Sequence, residues 1–229
     1  MIAGADAFFT ADTALFLAAA LGRTLVMTII GCSIGLGLGG ALAVLRGSRA
    51  RWLTPARALA ALYIEIFRRL PFLVILMLVL FCVQAIAPDL SLIGVATIAV
   101  TLAASAYLSE IVRAGLESVP QAQRDSAATL GLSWLDTLRL VILPQAWGVI
   151  LPPAAAFMVM FIKDTALASQ LGVVELAFAG KILVGKGVSP VLGFGAVLLL
   201  YALLSWPLGR AAQALETLLE TRRGAAHHR

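Results

Sequence analysis

Lys163 and Asp164 stand side by side at the end of a long apolar run, and they are the residues of this chain best placed to handle a polar solute. Charges at such a position usually line a cavity or pair with each other. Asp164 could therefore bind an amino group, or the Lys–Asp pair could simply end the helix at an interface, and the sequence leaves both open. Glu110 and Arg113 are one helical turn apart, which favours an ion pair with a structural role. The stretch from Gly180 to Lys186 opens like a phosphate-binding loop. Its next residue is Gly187, where a Mg²⁺-holding Ser or Thr is required, and no strand pattern precedes it. It reads as a chance match within a flexible, basic external loop. No catalytic residue emerges. The serines have no His partner, and His227 and His228 fall in a polar tail expected to be disordered. No metal-ligand spacing is present, and no cofactor is expected.

The elements that must position these groups are written in the composition. Of 229 residues, 61% are hydrophobic and 13% charged, and the mean hydropathy is +0.99. Soluble domains carry about 25% charged residues, so a water-soluble fold is excluded. A spanning helix needs roughly 20 mostly apolar residues. Five segments approach this: Thr24–Leu45, Leu70–Ala87, Leu90–Ser109, Leu140–Ile162 and Val188–Gly209. Ala58–Phe67 reads as an amphipathic approach to the second. Pro144, Pro152 and Pro153 are expected to break the fourth. Residues 165–180 carry Glu175 and read as a short helix at the membrane surface, with a sixth span as the alternative. The fold class is thus an all-α, polytopic membrane bundle forming one domain over 1–229, with a loop at 110–144 and a polar tail at 210–229. Cys32 and Cys82 lie in apolar segments as small hydrophobes, and two cysteines make no disulfide framework.

Arginine and lysine are retained on the cytoplasmic side of membrane proteins. Residues 46–69, 110–139 and 210–229 together hold thirteen of them, against four in residues 1–23, 88–89 and 163–187. This places the N-terminus outside and the C-terminus inside. The net charge of +5 is assigned to lipid headgroups rather than nucleic acid, because the basic residues flank apolar runs. With no basic residue before Arg23, the N-terminus lacks the positive region of a cleaved signal, and the mature chain is expected to keep it. Gly31, Gly35 and Gly39 recur every fourth residue, so one face of the first span admits a close neighbour. That neighbour is either a second subunit or another helix of the same chain.

The stretch from Glu110 to Pro144 falls on the predicted cytoplasmic side. Pro120 suits a helix start, and Gly131 followed by Ser133 reads as one helix ending and another being capped. Leu132, Leu135, Leu138 and Ile142 continue as an apolar stripe near helical period. Two short amphipathic helices at a sharp turn fit either a docking element for a partner or a loop packed on its own bundle.

This stretch resembles the EAA motif of ABC-importer membrane subunits: Glu-Ala-Ala, three residues, Gly, nine residues, then Ile-x-Leu-Pro. Asp125-Ser126-Ala127, Gly131 and Val141-Ile142-Leu143-Pro144 stand at that spacing, with Asp for Glu, Ser for Ala and Val for Ile. Arg113-Ala114-Gly115, Ser118-Val119-Pro120, Gly131-Leu132-Ser133 and Leu143-Pro144-Gln145-Ala146 are similar to the polar amino acid branch of that family. Glu65-Ile66-Phe67-Arg68-Arg69-Leu70-Pro71 looks like its Glu-Leu-Phe-Arg-Gly-Thr-Pro segment, with Arg69 and Leu70 replacing Gly-Thr. Lys163-Asp164-Thr165-Ala166-Leu167 looks like its Lys-Asp-Thr-Ser-Leu segment. The likeness runs from about Gly22 to Lys181.

The resemblance implies a multi-pass permease of the bacterial inner membrane without an ATPase of its own. Its implied partners are a cytoplasmic ABC ATPase dimer, a second permease subunit (the same chain or a paralogue) and an extracytoplasmic amino-acid-binding protein. It implies coupling residues Asp125, Ser126, Ala127, Gly131 and Leu132, and a substrate path carrying Lys163, Asp164 and Thr165. A secondary transporter or channel acting without ATP would explain the spans but not the docking loop, and no inverted repeat supports it. An intramembrane enzyme would need a buried nucleophile with a partner, or a metal motif, and neither is present.

Overall fold

The computed structural model describes residues 8–48 and 50–227, with side chains to residue 219. Every regular element among them is helical. The helices are α1 (Ala11–Gly47), α2 (Thr54–Arg69), α3 (Phe72–Ile86), α4 (Leu92–Glu117), α5 (Gln121–Thr129), α6 (Leu143–Asp164), α7 (Leu176–Gly185) and α8 (Pro190–His227). Four helical segments are long and apolar enough to cross a membrane, and a fifth span arises if the bent pair α2–α3 counts as one. The start of the chain, residues 1–7, and the end of the tail, His228 and Arg229, lie outside the described residues.

α1 and α4 form the tightest pair, and the glycine face decides it. A Cβ on Gly31 would lie 2.4 Å from Val100 Cγ1, one on Gly35 2.7 Å from Ala104 Cβ, and one on Gly39 2.7 Å from the Ser105 carbonyl oxygen. The close neighbour is therefore a helix of the same chain. α4 answers with small side chains: Ala96, Ala99, Ala103, Ala104 and Ala106 are all buried. Around this pair, Met27, Cys32, Leu76, Leu108 and Phe157 join one apolar core. Cys82, by contrast, is exposed.

Several boundaries differ from those the sequence suggests. α1 begins well before Thr24, capped by Thr10, whose hydroxyl accepts from the Thr13 amide at 3.2 Å. The second apolar segment is helical from Phe72 to Ile86, close to the expected Leu70–Ala87, and its amphipathic approach is the separate helix α2. The chain turns by 118° between α2 and α3, because Pro71 holds Leu70 in an extended conformation (φ −82°, ψ 138°). The prolines do not interrupt the fourth span. Pro152 and Pro153 lie inside a continuous α6, and Pro144 sits in its first turn. Such prolines are tolerated where neighbouring helices hold the segment.

Residues 165–180 are not a surface helix. Thr165–Leu171 is a 3₁₀ segment, and α7 packs against α1 and α8 through Leu176, Ala179 and Leu183. Glu175 is fully buried, and it caps α7. Its carboxylate accepts from the Ala177 and Phe178 amides, both at 2.8 Å, and from the Tyr201 hydroxyl at 2.9 Å. The supposed loop at 180–186 is mostly helix, since α7 runs to Gly185.

The outward faces are apolar. On α8, Leu198, Leu199, Leu203 and Trp206 are each about two-thirds exposed, and Ile29, Ile30, Ile34 and Leu38 are exposed on α1. Continuous apolar surface of this kind suits lipid or another subunit, not water.

Candidate functional site

Two regions carry the residues singled out by the sequence, one at each end of α6. The first is a cavity of about 320 Å³ between the α2–α3 break, α4 and the last turns of α6. Its walls include Leu70 and Pro71 from the break, Ala103 and Tyr107 from α4, and Met160 and Asp164 from α6. The aromatic rings form a ladder. Tyr107 stacks on Phe157 at 5.5 Å, Phe157 on Phe161 at 5.0 Å, and Phe161 meets Phe72 edge-on at 4.9 Å. The Tyr107 hydroxyl donates to the Arg68 carbonyl at 3.1 Å, tying the ladder to the end of α2. Asp164 is the acidic group in this lining and is half-buried. One carboxylate among aromatic faces is suited to an organic ammonium, through charge pairing and attraction to the ring faces.

The three neighbours at this end of α6 face different surroundings. Asp164 lines the cavity, and Lys163 is exposed on another face, in a groove against α8. Thr165 is fully buried, with its hydroxyl donating to the Ile162 carbonyl at 2.6 Å. Asp164 and Lys163 form no ion pair among the described residues.

The second region is the turn after α5. Gly131 has φ +74°, a left-handed conformation that a side chain resists. The Leu132 amide donates to the Ala127 carbonyl at 3.1 Å, and the Gly131 amide to the Ala128 carbonyl at 3.0 Å. This pair of bonds is the Schellman closure of a helix C-terminus. Two residues on, Ser133 accepts from the Asp136 amide at 3.2 Å and caps the next turn. Asp125, Ser126 and Gly131 are exposed, Leu132 is partly buried, and Ala127 alone of the five is buried. Leu130 projects furthest, 78% exposed. The expected second short helix is not separate. Trp134–Asp136 passes through a π-helical stretch, Thr137–Ile142, directly into α6.

The turn is fastened to the bundle by polar contacts. Arg124 donates to the Leu116 carbonyl at 2.6 Å, and Gln145 to Gln123 at 3.0 Å. Glu110 pairs with Arg113 at 2.7 Å, as its spacing suggests, and Arg113 also reaches Glu117 at 2.7 Å. The sequence hid the further pairing of Glu110 with Arg46, 64 residues away at the end of α1. It also hid the aromatic ladder, whose rings come from three separate helices. No group of side chains suited to a metal occurs among the described residues.

The chain is similar to known proteins. The family described as binding-protein-dependent transport system inner membrane component matches residues 33–224. The "Probable amino-acid ABC transporter permease protein YckA" of Bacillus subtilis (strain 168) is 32% identical over 87% of this chain and 85% of its own length. The glutamine transport system permease protein GlnP of Escherichia coli (strain K12) is 30% identical over 84% of this chain and 88% of its own. Among solved structures, a crystal structure of an amino acid ABC transporter with histidines superposes with a TM-score of 0.78. It is 24% identical and is covered over 90% of this chain and 95% of its own. With its bundle, its break at Pro71 and its Gly131 turn, the chain belongs to the family of inner-membrane components of binding-protein-dependent transport systems, the membrane subunits of ABC importers.

Proposed function

We propose that this subunit imports polar amino acids, that the turn at 125–132 receives the motion of a separate cytoplasmic ATPase, and that Asp164 meets the solute's amino group. The observation that carries the reading is the placement of both regions on one helical segment. It starts at the Ser133 cap beside the turn and ends at Asp164 beside the cavity. The permease families of the relatives support amino acids as the cargo. The aromatic cavity with its carboxylate supports recognition of the ammonium end.

The arginine distribution supports an orientation with the N-terminus outside and the turn inside. In that orientation the exposed face of α5 meets the ATPase, and the chain itself hydrolyses no ATP. A second permease subunit completes the pathway, and an extracytoplasmic binding protein delivers the solute. The whole chain acts as one membrane domain. ATP binding shifts a two-state bundle, and differential contacts at the turn bias which state is populated. Within the Lys163–Thr165 triplet, Asp164 contacts the solute, Lys163 contributes from the neighbouring groove, and Thr165 holds the helix end in place.

The test is purification of the tagged chain from native membranes, followed by reconstitution with whatever ATPase accompanies it. The expected result is a co-purifying soluble ATPase and ATP-dependent accumulation of an amino acid in vesicles. Accumulation that persists without ATP and without a bound ATPase would instead identify a secondary transporter.

A further inference from the structure

Two kinds of contact hold α1 against α4. Along the middle of the pair the contact is steric, and its last glycine is Gly39, where an added Cβ would lie 2.8 Å from the Ser109 amide nitrogen. In the last turn of α1 the contact becomes ionic, and Arg46 pairs with Glu110, the residue after Ser109. Among the described residues this ion pair joins two helices, and the others each lie within one. Glu110 divides its two oxygens. Oε1 accepts from Arg46, while Oε2 accepts from Arg113 Nε at 2.9 Å and Nη2 at 2.7 Å. The remaining Nη1 of Arg113 donates to Glu117 at 2.7 Å. Arg46, Glu110, Arg113 and Glu117 thus form a row of alternating charge. Glu110 is its least exposed member, with 18% of its side chain accessible.

The row runs towards the coupling turn. Arg113 and Glu117 line a cavity of about 70 Å³ whose walls also include Arg124 of α5, and Trp134 and Leu138 on the way into α6. Between Arg113 and Glu117 stands Gly115, the residue on which Ile150 of α6 closes. The row therefore brackets the place where α6 bears on α4. A displacement at the turn moves α6 relative to the bundle only if that stretch of α4 holds its place against α1. The glycine contacts secure α4 as far as Ser109. Beyond it, Ala43, Val112 and Leu116 share an apolar cluster, and apolar contact is non-directional. Charge-assisted hydrogen bonds on both oxygens of one carboxylate do have direction, and they fix the register of the two helices.

We propose that Glu110 is a positioning residue for coupling. By joining Arg46 to Arg113 it ties the cytoplasmic end of α1 to the stretch of α4 that supports α6, so that work done at the turn moves α6 instead of parting α4 from α1. This rests on the reading of the chain as an ATP-driven importer subunit.

The permease is reconstituted with its ATPase and binding protein, using the proteinogenic L-amino acid that wild type accumulates best. The quantity measured is ATP hydrolysed per amino acid accumulated, together with half-saturation and the melting temperature of the complex. Arg46→Gln is the main variant, because it leaves Glu110 paired with Arg113 and strands no carboxylate. Arg46→Gln and Glu110→Gln should each raise the ATP used per amino acid about three- to tenfold, with the ATPase still bound and half-saturation unchanged. Arg46→Lys keeps the charge and should recover part of the loss. The double variant should be no worse than Glu110→Gln alone, since both changes cut the same tie.

If Glu110→Gln fails to assemble, the Arg46 pair of variants decides the matter. A wild-type ratio of ATP to solute in Arg46→Gln would overturn the proposal even if the complex melts earlier, because the pair would then be structural only, and the importer reading would stand. A change in half-saturation at an unaltered ratio would overturn it too. A wild-type complex that accumulates no amino acid on adding ATP would overturn both.

Discussion

Replacing Gly131 is the sharpest test of the coupling turn, because strain and size can be separated there. Gly131 has φ +74°, and a Cβ added to it would find open space. Any harm must therefore come from the backbone conformation. A non-glycine residue held in the left-handed region costs about 1–2 kcal/mol, and Asn is tolerated best. A β-branched residue stands at the upper end or beyond. The Schellman bonds at Leu132 and Gly131 exist only while that conformation is kept. A strain of about 2 kcal/mol thus raises the population of opened turns roughly thirtyfold. The series Gly131→Asn, Gly131→Ala, Gly131→Val should lose coupling in that order, while all three chains insert at wild-type levels. The measurements are ATPase co-purification and uptake at matched membrane content. Full uptake with Gly131→Val would refute the role of the turn. An Asn variant as damaged as Val would refute the strain argument, since both would then fail for size.

Three further outcomes are expected. Asp164→Asn keeps shape and removes charge, so it should weaken half-saturation for uptake by roughly ten- to a hundredfold without loss of the assembled complex; unchanged uptake at low solute would show Asp164 to be only a helix end. Gly39→Ala should lower the thermal stability of the purified subunit by about 1–3 kcal/mol, because its Cβ would press on the backbone at Ser105 and Ser109. Gly40→Ala, where nothing lies within 4 Å, should not, and equal effects from the two would contradict the α1–α4 interlock. Membrane-impermeant thiol reagents should label cysteines introduced near residue 185 in intact cells but not those near 50, 125 and 220. The opposite pattern would invert the orientation drawn from the arginines.

What could be read from the sequence was local. The turn at Gly131 was legible because its determinants, Ala127 to Ser133, lie within two helical turns of one another. The glycine stripe was legible as a face, but its partner was not. Val100 and Ala104 lie about 70 residues later, and spacing alone does not say which helix arrives. Pro71 was visible, yet the 118° turn depends on how α3 packs once the helix is broken. Pro152 and Pro153 misled for the converse reason. Proline removes a backbone donor, but helix packing on either side can hold the segment straight, and Pro152 is itself buried. Glu175 suggested a surface because it is charged. Two backbone amides and Tyr201 satisfy it in the interior, and Tyr201 comes from a helix that begins fifteen residues later.

The proposed coupling needs one end of the α6 segment to act on the other. From Trp134 to Asp164 the chain is helical throughout, a length of about 45 Å at 1.5 Å per residue. A straight rod of that length would carry displacement at the turn to the cavity without loss. The π-helical stretch at Thr137–Ile142 interrupts the regular ladder just above the turn, and such stretches are where helices bend. Beyond it, Gly115 of α4 receives Ile150, with room for no larger residue, since a Cβ there would lie 2.3 Å from Ile150 Cγ1. That interlock lies between the π-helical stretch on one side and the aromatic ladder on the other, where a pivot would serve the proposed coupling. Under the proposed coupling, motion at the turn would reach Phe157, Phe161 and Asp164 as a tilt about Ile150 rather than as a slide along α4, changing the cavity's width while leaving the glycine-packed α1–α4 pair in place.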